Sequence, residues 1–337
     1  MTRITTNMIM RNYQNNLTST LGGLESARKQ VETGRRFSKS YEDPTAAAKA
    51  AILERRYMQN QDYQTSLTNV QKWQDSQEDI VTALNDMAIT IEKEYSIGSL
   101  NDPVGEAGRK AYAQALEELQ NSMVSTLNAR FGDTFVLAGN DGKNVPFTLE
   151  DGADGYKVLH YRGKPVSGPD ADPAVLKELA GETTFVDLGF GMDIQGDTVV
   201  ASSAFNTALP GIKLVGYVGD GNGTTADMVT MVGKMAKALK EPTFDADEYK
   251  TMMAEFSDHR ERLEDQFSVL GTKTQLLNAT KDRLESEELA ITQQFDDAVN
   301  INPAEAIMNY SWANYAYNSA LKVGTSIITP SLLDFMK

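Results

Sequence analysis

The side chains best suited to catalysis or metal binding are scarce in this sequence. It has no cysteine and two histidines, His160 and His259. Thiol nucleophiles, disulfides and thiolate zinc sites are therefore excluded, and imidazole chemistry has little to work with. His259 sits in Asp258-His-Arg-Glu-Arg-Leu-Glu-Asp265 with no second histidine at helical spacing. That context predicts a solvated helix face rather than a ligand or a base. His160, in Val158-Leu-His-Tyr161, reads as a strand residue. Asp220-Gly-Asn-Gly-Thr224 opens like a calcium loop, but its sixth and twelfth positions hold Thr225 and Met231 where Gly and Glu are needed. Gly219, Gly221 and Gly223 have the wrong spacing for a dinucleotide turn, and no Walker or GxSxG sequence occurs. The 47 carboxylates define no acid–base pair without a pocket. The chain reads as a non-enzyme, with no catalytic residue, no metal and no cofactor.

The elements that would carry function are structural. The 337 residues amount to about two domains' worth of chain. A net charge of −15 argues against a nucleic-acid partner. No stretch reaches the roughly 20 apolar residues that span a bilayer, so no membrane partner is expected. Met1 to Leu21 is polar, with no apolar segment of the kind a secretory leader needs. This predicts a cytosolic chain or one exported without a cleaved signal.

Glycine and proline divide the chain in three. Residues 132–223 hold 16 of the 25 glycines and 5 of the 10 prolines. Breaker-poor segments flank this stretch, which predicts helix, then a β-rich insert, then helix. The flanks carry an alternating three-four spacing. In the first segment it runs through Met10, Gln14, Leu17, Leu21, Leu24, Arg28 and Val31, and in the second from Tyr63 through Leu67, Val70, Gln74, Gln77, Val81, Leu84, Ala88 and Ile91 to Tyr95. A third runs from Ala111 to Leu127. The clearest runs from Leu263 through Phe267, Leu270, Thr274, Leu277, Lys281, Leu284, Glu288, Ile291 and Phe295 to Ala298, with eight of eleven positions apolar. This predicts coiled-coil-like helices of about 35–50 residues, each needing a partner helix. In the middle, Phe135–Ala138, Val145–Thr148, Tyr156–Tyr161 and Asp197–Val200 are candidate strands, joined by Asn-Asp-Gly and Asp-Gly turns. Short helices are expected over Pro173–Ala180 and about Ala226–Leu239. Met228, Met231 and Met235 read as core filler, and Trp73 as a packed helix residue.

The ends differ from the rest. Residues 1–40 carry a net +5 and residues 301–337 a net 0, which leaves −20 on residues 41–300. The last 37 residues hold only four charged side chains, yet include Tyr310, Trp312, Tyr315, Tyr317 and Phe335. Their apolar side chains circle the helix rather than forming one stripe, as in a helix covered on most sides. Such an end makes sense if other subunits cover it, and Trp312 is placed at a subunit contact.

Several motifs, in order, resemble the flagellin family of axial flagellar proteins. Glu32-Thr-Gly34-Arg-Arg-Phe-Ser-Lys-Ser-Tyr-Glu-Asp43-Pro44-Thr-Ala-Ala is similar to the family's turn between its first two helices. Leu270-Gly271-Thr-Lys-Thr-Gln-Leu-Leu277 and Arg283-Leu-Glu285 are similar to its C-terminal helix, and Arg3-Ile-Thr-Thr-Asn-Met8 fits its start. The tail Ser331-Leu-Leu-Asp-Phe-Met336 resembles that of the family's hook–filament junction members more than that of flagellin. The resemblance covers roughly residues 1–140 and 225–337. It implies a mainly α fold with a β-rich insert: a long antiparallel helical bundle built from both chain ends, plus a small outward β domain. Residues 1–40 with 300–337 would be terminal axial segments, 41–131 with 225–299 a long-helix bundle, and 132–224 the variable insert. The implied role is a structural adaptor joining hook to filament and templating its growth. The implied partners are copies of itself in a ring, a hook-associated protein on the hook side, flagellin or a second junction protein on the filament side, and an export chaperone at the C-terminal region. The candidate assembly residues are Met10, Leu17, Leu21, Leu24 and Val31 on one strip, with Ile307, Tyr310, Trp312, Leu321, Leu332, Leu333 and Phe335 on the other. The alternatives are flagellin itself and a cytosolic coiled-coil scaffold.

Overall fold

The structure is a computed structural model that describes residues 6–96, 99–100, 105–152, 154–196, 198–220 and 227–333. Helix α1 (Thr6–Thr33) stops where Gly34 turns left-handed at φ +67°, a conformation a Cβ would strain. Helix α2 (Pro44–Thr90) starts with proline at its first position, and the Asp43 carboxylate accepts the Ala46 N–H at 3.0 Å. A π-helical turn, Ile91–Ser96, follows α2, and α3 spans Glu106–Leu127. Then come β1 (Arg130–Phe131) and β2 (Thr134–Phe135), paired as a hairpin, and the meander β3 (Phe147–Asp151), β4 (Lys157–Tyr161) and β5 (Lys164–Pro165). Helix α4 (Pro173–Ala180) takes its cap from Asp172, which accepts the Ala174 N–H. Strand β6 (Phe185–Val186), the β7–β8 hairpin (Ile194–Gln195, Thr198–Val199) and β9 (Phe205–Asn206) follow, with β6 pairing to β9. The chain ends in α5 (Ile212–Val215), α6 (Met228–Lys240), α7 (Ala246–Val299) and α8 (Pro303–Leu333).

The expected architecture is observed: long helices from both chain ends and a small strand-bearing middle. Helices α2 and α7, of 47 and 54 residues, meet or exceed the length the spacing predicts. The Pro173–Ala180 helix lies where the sequence puts it. Of Phe135–Ala138 only Phe135 is strand; the rest is buried turn. Residues 197 and 226, at the edges of two expected elements, lie outside the described residues.

Two compact units form. One joins the chain up to Gln61 with the chain from Glu285 onward, and the other is Asp62–Leu284. The division implied by the resemblance places its joints at 40/41 and 299/300, whereas the compact units part at 61/62 and 284/285.

In the unit 62–284, Val81, Leu84, Ala88 and Ile91 meet Leu116 and Met123 of α3, Met231 and Met235 of α6, and Leu263 and Leu270 of α7, all at most 1% exposed. Helices α3 and α6 cross closely. The buried Gln120 amide donates to Val229 O at 3.0 Å, and a Cβ on Gly233 would sit 2.7 Å from its nitrogen. The insert is stitched onto the long helices of the same unit. Leu188 and Phe205 pack with Leu67, Val70, Leu277 and Leu284. Arg283 donates to Leu188 O at 3.0 Å, Lys273 to Asn206 O at 3.1 Å and Gln77 to Thr207 O at 3.0 Å. In the meander, Tyr161 lies against Phe147 and donates to Leu137 O, and burial pushes its phenol pKa up.

His259 corrects the sequence reading. It is 1% exposed, packed where a Cβ on Gly216 would come within 3.1 Å of its ring. Its neighbourhood includes buried Asp227. The flanking charged residues suggest a wet helix face, but α7 presents different faces to solvent and to the 211–220 loop. His160 is a strand residue as expected, in β4 opposite Thr148, with its ring nitrogen 3.0 Å from Glu150.

Candidate assembly surface

The unit of the two chain ends is built on an antiparallel pair, α1 with α8. Its direction follows from three points along the pair. Ile301 N–H donates to Gly34 O at 2.9 Å, Arg28 lies near Tyr310, and Tyr13 meets Gly324. The shared seam is narrow. On α1 the least exposed residues include Met10, Tyr13, Leu17, Thr20, Leu24 and Ala27, and on α8 they include Ala306, Tyr310, Ala313, Tyr317, Ala320 and Gly324. Both sets step alternately by three and four, the spacing of two helices packed along their length. The α8 side alternates small residues with tyrosine. A Cβ on Gly324 would lie 2.0 Å from the Tyr13 hydroxyl, so glycine is what lets the two helices close there.

A joint fixes where this pair begins. Arg36 N–H donates to Val299 O at 2.7 Å, Arg35 bridges Asn300, and the Gln30 amide donates to Arg36 O. Arg36 pairs with Asp43 at 3.1 Å. The Glu42 carboxylate accepts the Ser38 and Lys39 N–H groups, which hold it below its ordinary range. Beyond the joint, Leu53, Ile291 and Ala298 are buried with Phe295 against them. Tyr57 and Thr292 help to line a mostly apolar groove of about 260 Å³ beside them.

Among the described side chains, much of the pair's other apolar surface is exposed. On α8, Ile307, Met308, Trp312, Tyr315, Leu321 and Val323 are exposed, Trp312 at 66% and Tyr315 at 69%; on α1, Met8, Ile9, Leu21 and Val31 are. Trp312 and Tyr315 meet edge to face at 6.5 Å. Helix α8 has only Glu305 and Lys322 as charged residues, so little interrupts this surface. Large exposed apolar patches are characteristic of interaction surfaces.

The candidate residues divide. Met10, Leu17, Leu24 and Tyr310 lie in the intrachain seam, so their first partner is the other terminal helix. Leu21, Val31, Ile307, Trp312 and Leu321 lie outside it, exposed. Leu332 and Leu333 lie where only the backbone is described, and Phe335 lies outside the described residues. Sequence reasoning omitted Met8, Ile9, Met308, Tyr315 and Val323 as candidates. Their signal is phase: Met8 and Ile9 lie off the α1 seam 10, 13, 17, 20, 24, 27, and Met308, Tyr315 and Val323 off the α8 seam 306, 310, 313, 317, 320, 324. Among the described residues no cluster of three His, Asp or Glu could hold a metal. No described helix is long and apolar enough to cross a membrane.

No family model matches this sequence. It is 22% identical to flagellar hook-associated protein 3 of Escherichia coli K12, over 99% of this chain and all of that protein. In fold it is similar to a structure assigned as a flagellar hook-associated protein of Vibrio parahaemolyticus, with a TM-score of 0.59 and 13% identity, over 77% of this chain and 100% of that one. It is also similar to Bacillus cereus FlgL, with a TM-score of 0.52 and 13% identity, over 73% of this chain and 99% of that one. Along its whole length in sequence, and over most of it in fold, the chain resembles flagellar hook-associated protein 3.

Proposed function

We propose that this chain is a structural, non-enzymatic subunit of the bacterial flagellum, which joins hook to filament and templates filament growth. The observation that carries this reading is the terminal pair. It hides one narrow seam of small residues and tyrosines and leaves Trp312, Tyr315, Ile307 and Leu21 in water. A pair with most of its apolar girth exposed gains much of its stabilisation only when neighbours cover it, at about 25 cal/mol per Å² of apolar surface removed from water. The whole-length similarity to hook-associated protein 3 supports the flagellum as the assembly in which those neighbours occur.

On this reading Leu21, Val31, Ile307, Trp312, Leu321, Leu332, Leu333 and Phe335 face other subunits, while Met10, Leu17, Leu24 and Tyr310 hold the pair together. The neighbours are copies of this chain in a ring, a hook-associated protein on the hook side, and flagellin or a second junction protein on the filament side. Export through the flagellar apparatus without a cleaved signal, with a chaperone on the C-terminal region, accompanies this role. The test is deletion of the gene, with electron microscopy of the cells and an assay of flagellin in the medium. Bare hooks with unassembled flagellin shed into the medium are expected. Bare hooks with little flagellin anywhere would identify the chain as flagellin. Normal filaments would overturn the flagellar reading and favour a coiled-coil scaffold.

A further inference from the structure

We propose that a cleft in the unit 62–284, between α2 and the insert, binds a neutral saccharide unit. The cleft, of about 540 Å³, is lined by eleven residues from α2, the β1–β2 hairpin and its following loop, and the segments flanking β6 and β9. None of the eleven is charged, in a chain with 23% charged residues and a net −15. The charge nearest the lining is the Glu182 carboxylate, behind Gly139 and Asn140, and it is already paired with Arg162 at 2.6 Å, so the cleft offers a phosphate, a carboxylate or a cationic peptide no free counter-charge. What it offers is one aromatic ring, Trp73, and a set of small neutral hydrogen-bonding side chains: Thr134, Asn140, Thr183, Thr184 and Thr207. A pyranose has apolar C–H faces that pack on an aromatic ring, and edges of hydroxyls that both donate and accept. An uncharged cleft with an indole wall and several hydroxyl and amide groups suits both features.

The cleft is pre-formed on some sides and unpartnered on others. Phe131 meets Trp73 edge-on at 5.9 Å and an interplanar angle of 88°, which fixes the indole. Thr184 donates to Asn140 Oδ1 at 3.0 Å, and Thr207 donates to Thr184 O at 3.1 Å. The Asn140 backbone N–H is anchored on Glu182 at 2.7 Å. Gln77, buried one helical turn from Trp73, holds Thr207 O. One wall is closely packed: a Cβ on Gly142 would sit 2.2 Å from the Thr134 methyl. Among the described residues no protein group pairs with the Trp73 indole N–H, the Thr134 or Thr183 hydroxyls, or the Asn140 NH2 group. These are the donors and acceptors a sugar's hydroxyls would meet.

The test uses the full chain carrying Trp312→Phe, which leaves Trp73 as the sole tryptophan. The probes are maltotriose, cellotriose and triacetylchitotriose, with trigalacturonate as a charged control, each followed by saturation-transfer NMR and Trp73 fluorescence. At least one neutral probe is expected to bind saturably, with transfer to its ring C–H groups and a shift in Trp73 emission. Asn140→Ala and Thr183→Val, both at exposed side chains, are each expected to weaken it several-fold, roughly the value of one hydrogen bond, with an unchanged near-UV spectrum. The same glycans immobilised on beads separate the sources: retention by the beads together with weak binding of the free trisaccharide indicates a surface glycan, and equal binding indicates a free oligosaccharide. No saturable neutral probe below about 10 mM, tighter binding of trigalacturonate, or parental affinity in the Asn140→Ala/Thr183→Val double variant would each overturn the proposal.

Discussion

The two compact units use the same helical spacing to opposite ends. In the unit 62–284, seam residues Leu263, Leu270, Leu277 and Leu284 are at most 1% exposed, and facing residues from α2, α3, α6 and the insert complete their surroundings. In the terminal pair the fully buried positions among the described side chains are Ala27, Ala306 and Gly324, Met10, Leu17, Leu24 and Tyr310 are half-buried beside them, and many other large apolar side chains are outside. The first region finishes its packing within the chain. The second uses small residues and one strip of larger ones to let two helices touch, and leaves Trp312, Tyr315, Ile307 and Leu21 uncovered. An apolar residue therefore means stability in one region and association in the other, and substitutions at the two should have separable effects.

The largest expected effect is in the first region. Leu270→Asp places an unpaired carboxylate at a site 1% exposed. It should cost on the order of 4–5 kcal/mol or more, seen as loss of the cooperative transition in urea. The contrast is Trp312→Asp or Leu21→Asp, at exposed positions. Each should change the stability of the isolated chain by no more than about 0.5 kcal/mol and abolish assembly on hooks. If either loses most of its helical circular dichroism, or still supports full-length filaments, the separation of roles fails.

That contrast is partly legible in sequence. The seven-residue repeat 263, 270, 277, 284, 291, 298 is buried at every position, as the unbroken spacing implies. The interleaved positions are not equivalent: Phe267 is 47% exposed and Lys281 is exposed. On α2, by contrast, Leu67, Val70, Gln74, Gln77, Val81, Leu84 and Ala88 are all buried, because the insert and α3 cover a side that α7 alone would not. Spacing fixes which residues share a face, but not how many neighbours arrive to cover it. The burial of His259 depends on the 211–220 loop, far away in sequence, and so does not show in its local charges. The uncharged cleft beside Trp73 is assembled from four separate segments and has no local motif.

A smaller effect sharpens the comparison at the point where the terminal helices close. In Gly324→Ala the new methyl meets the Tyr13 ring, so the tyrosine must swing out of the seam. The cost should be about 1–3 kcal/mol, confined to α1 and α8 and read as faster amide exchange there with the unit 62–284 unchanged. Tyr13→Ala opens the same space. The double variant should then be less destabilised than the sum of the singles, since the two residues share one contact. Additive costs would mean that the helices do not close at this point.

The smallest effect lies in the finished core and depends on pH. Asp227 caps α6, accepting the Thr230 N–H at 2.8 Å and the Ser167 hydroxyl at 2.8 Å, and it is fully buried. Burial raises its pKa, against the lowering effect of its donors and of nearby His259. In the unfolded chain this carboxyl ionises near its ordinary value of about 3.9. As pH rises through that value the unfolded state loses the proton first, so the folded state binds more protons and stability falls. The fall stops once pH passes the raised folded-state value. Asp227→Asn keeps an acceptor for Thr230 and cannot ionise, and the other carboxylates are common to both chains and cancel in the difference. The original chain should therefore lose stability relative to Asp227→Asn as pH rises through the carboxylate range, in denaturant titrations run side by side. A gain in its place would mean that the two donors and His259 outweigh burial, and that this core holds an ionised carboxylate as comfortably as water does.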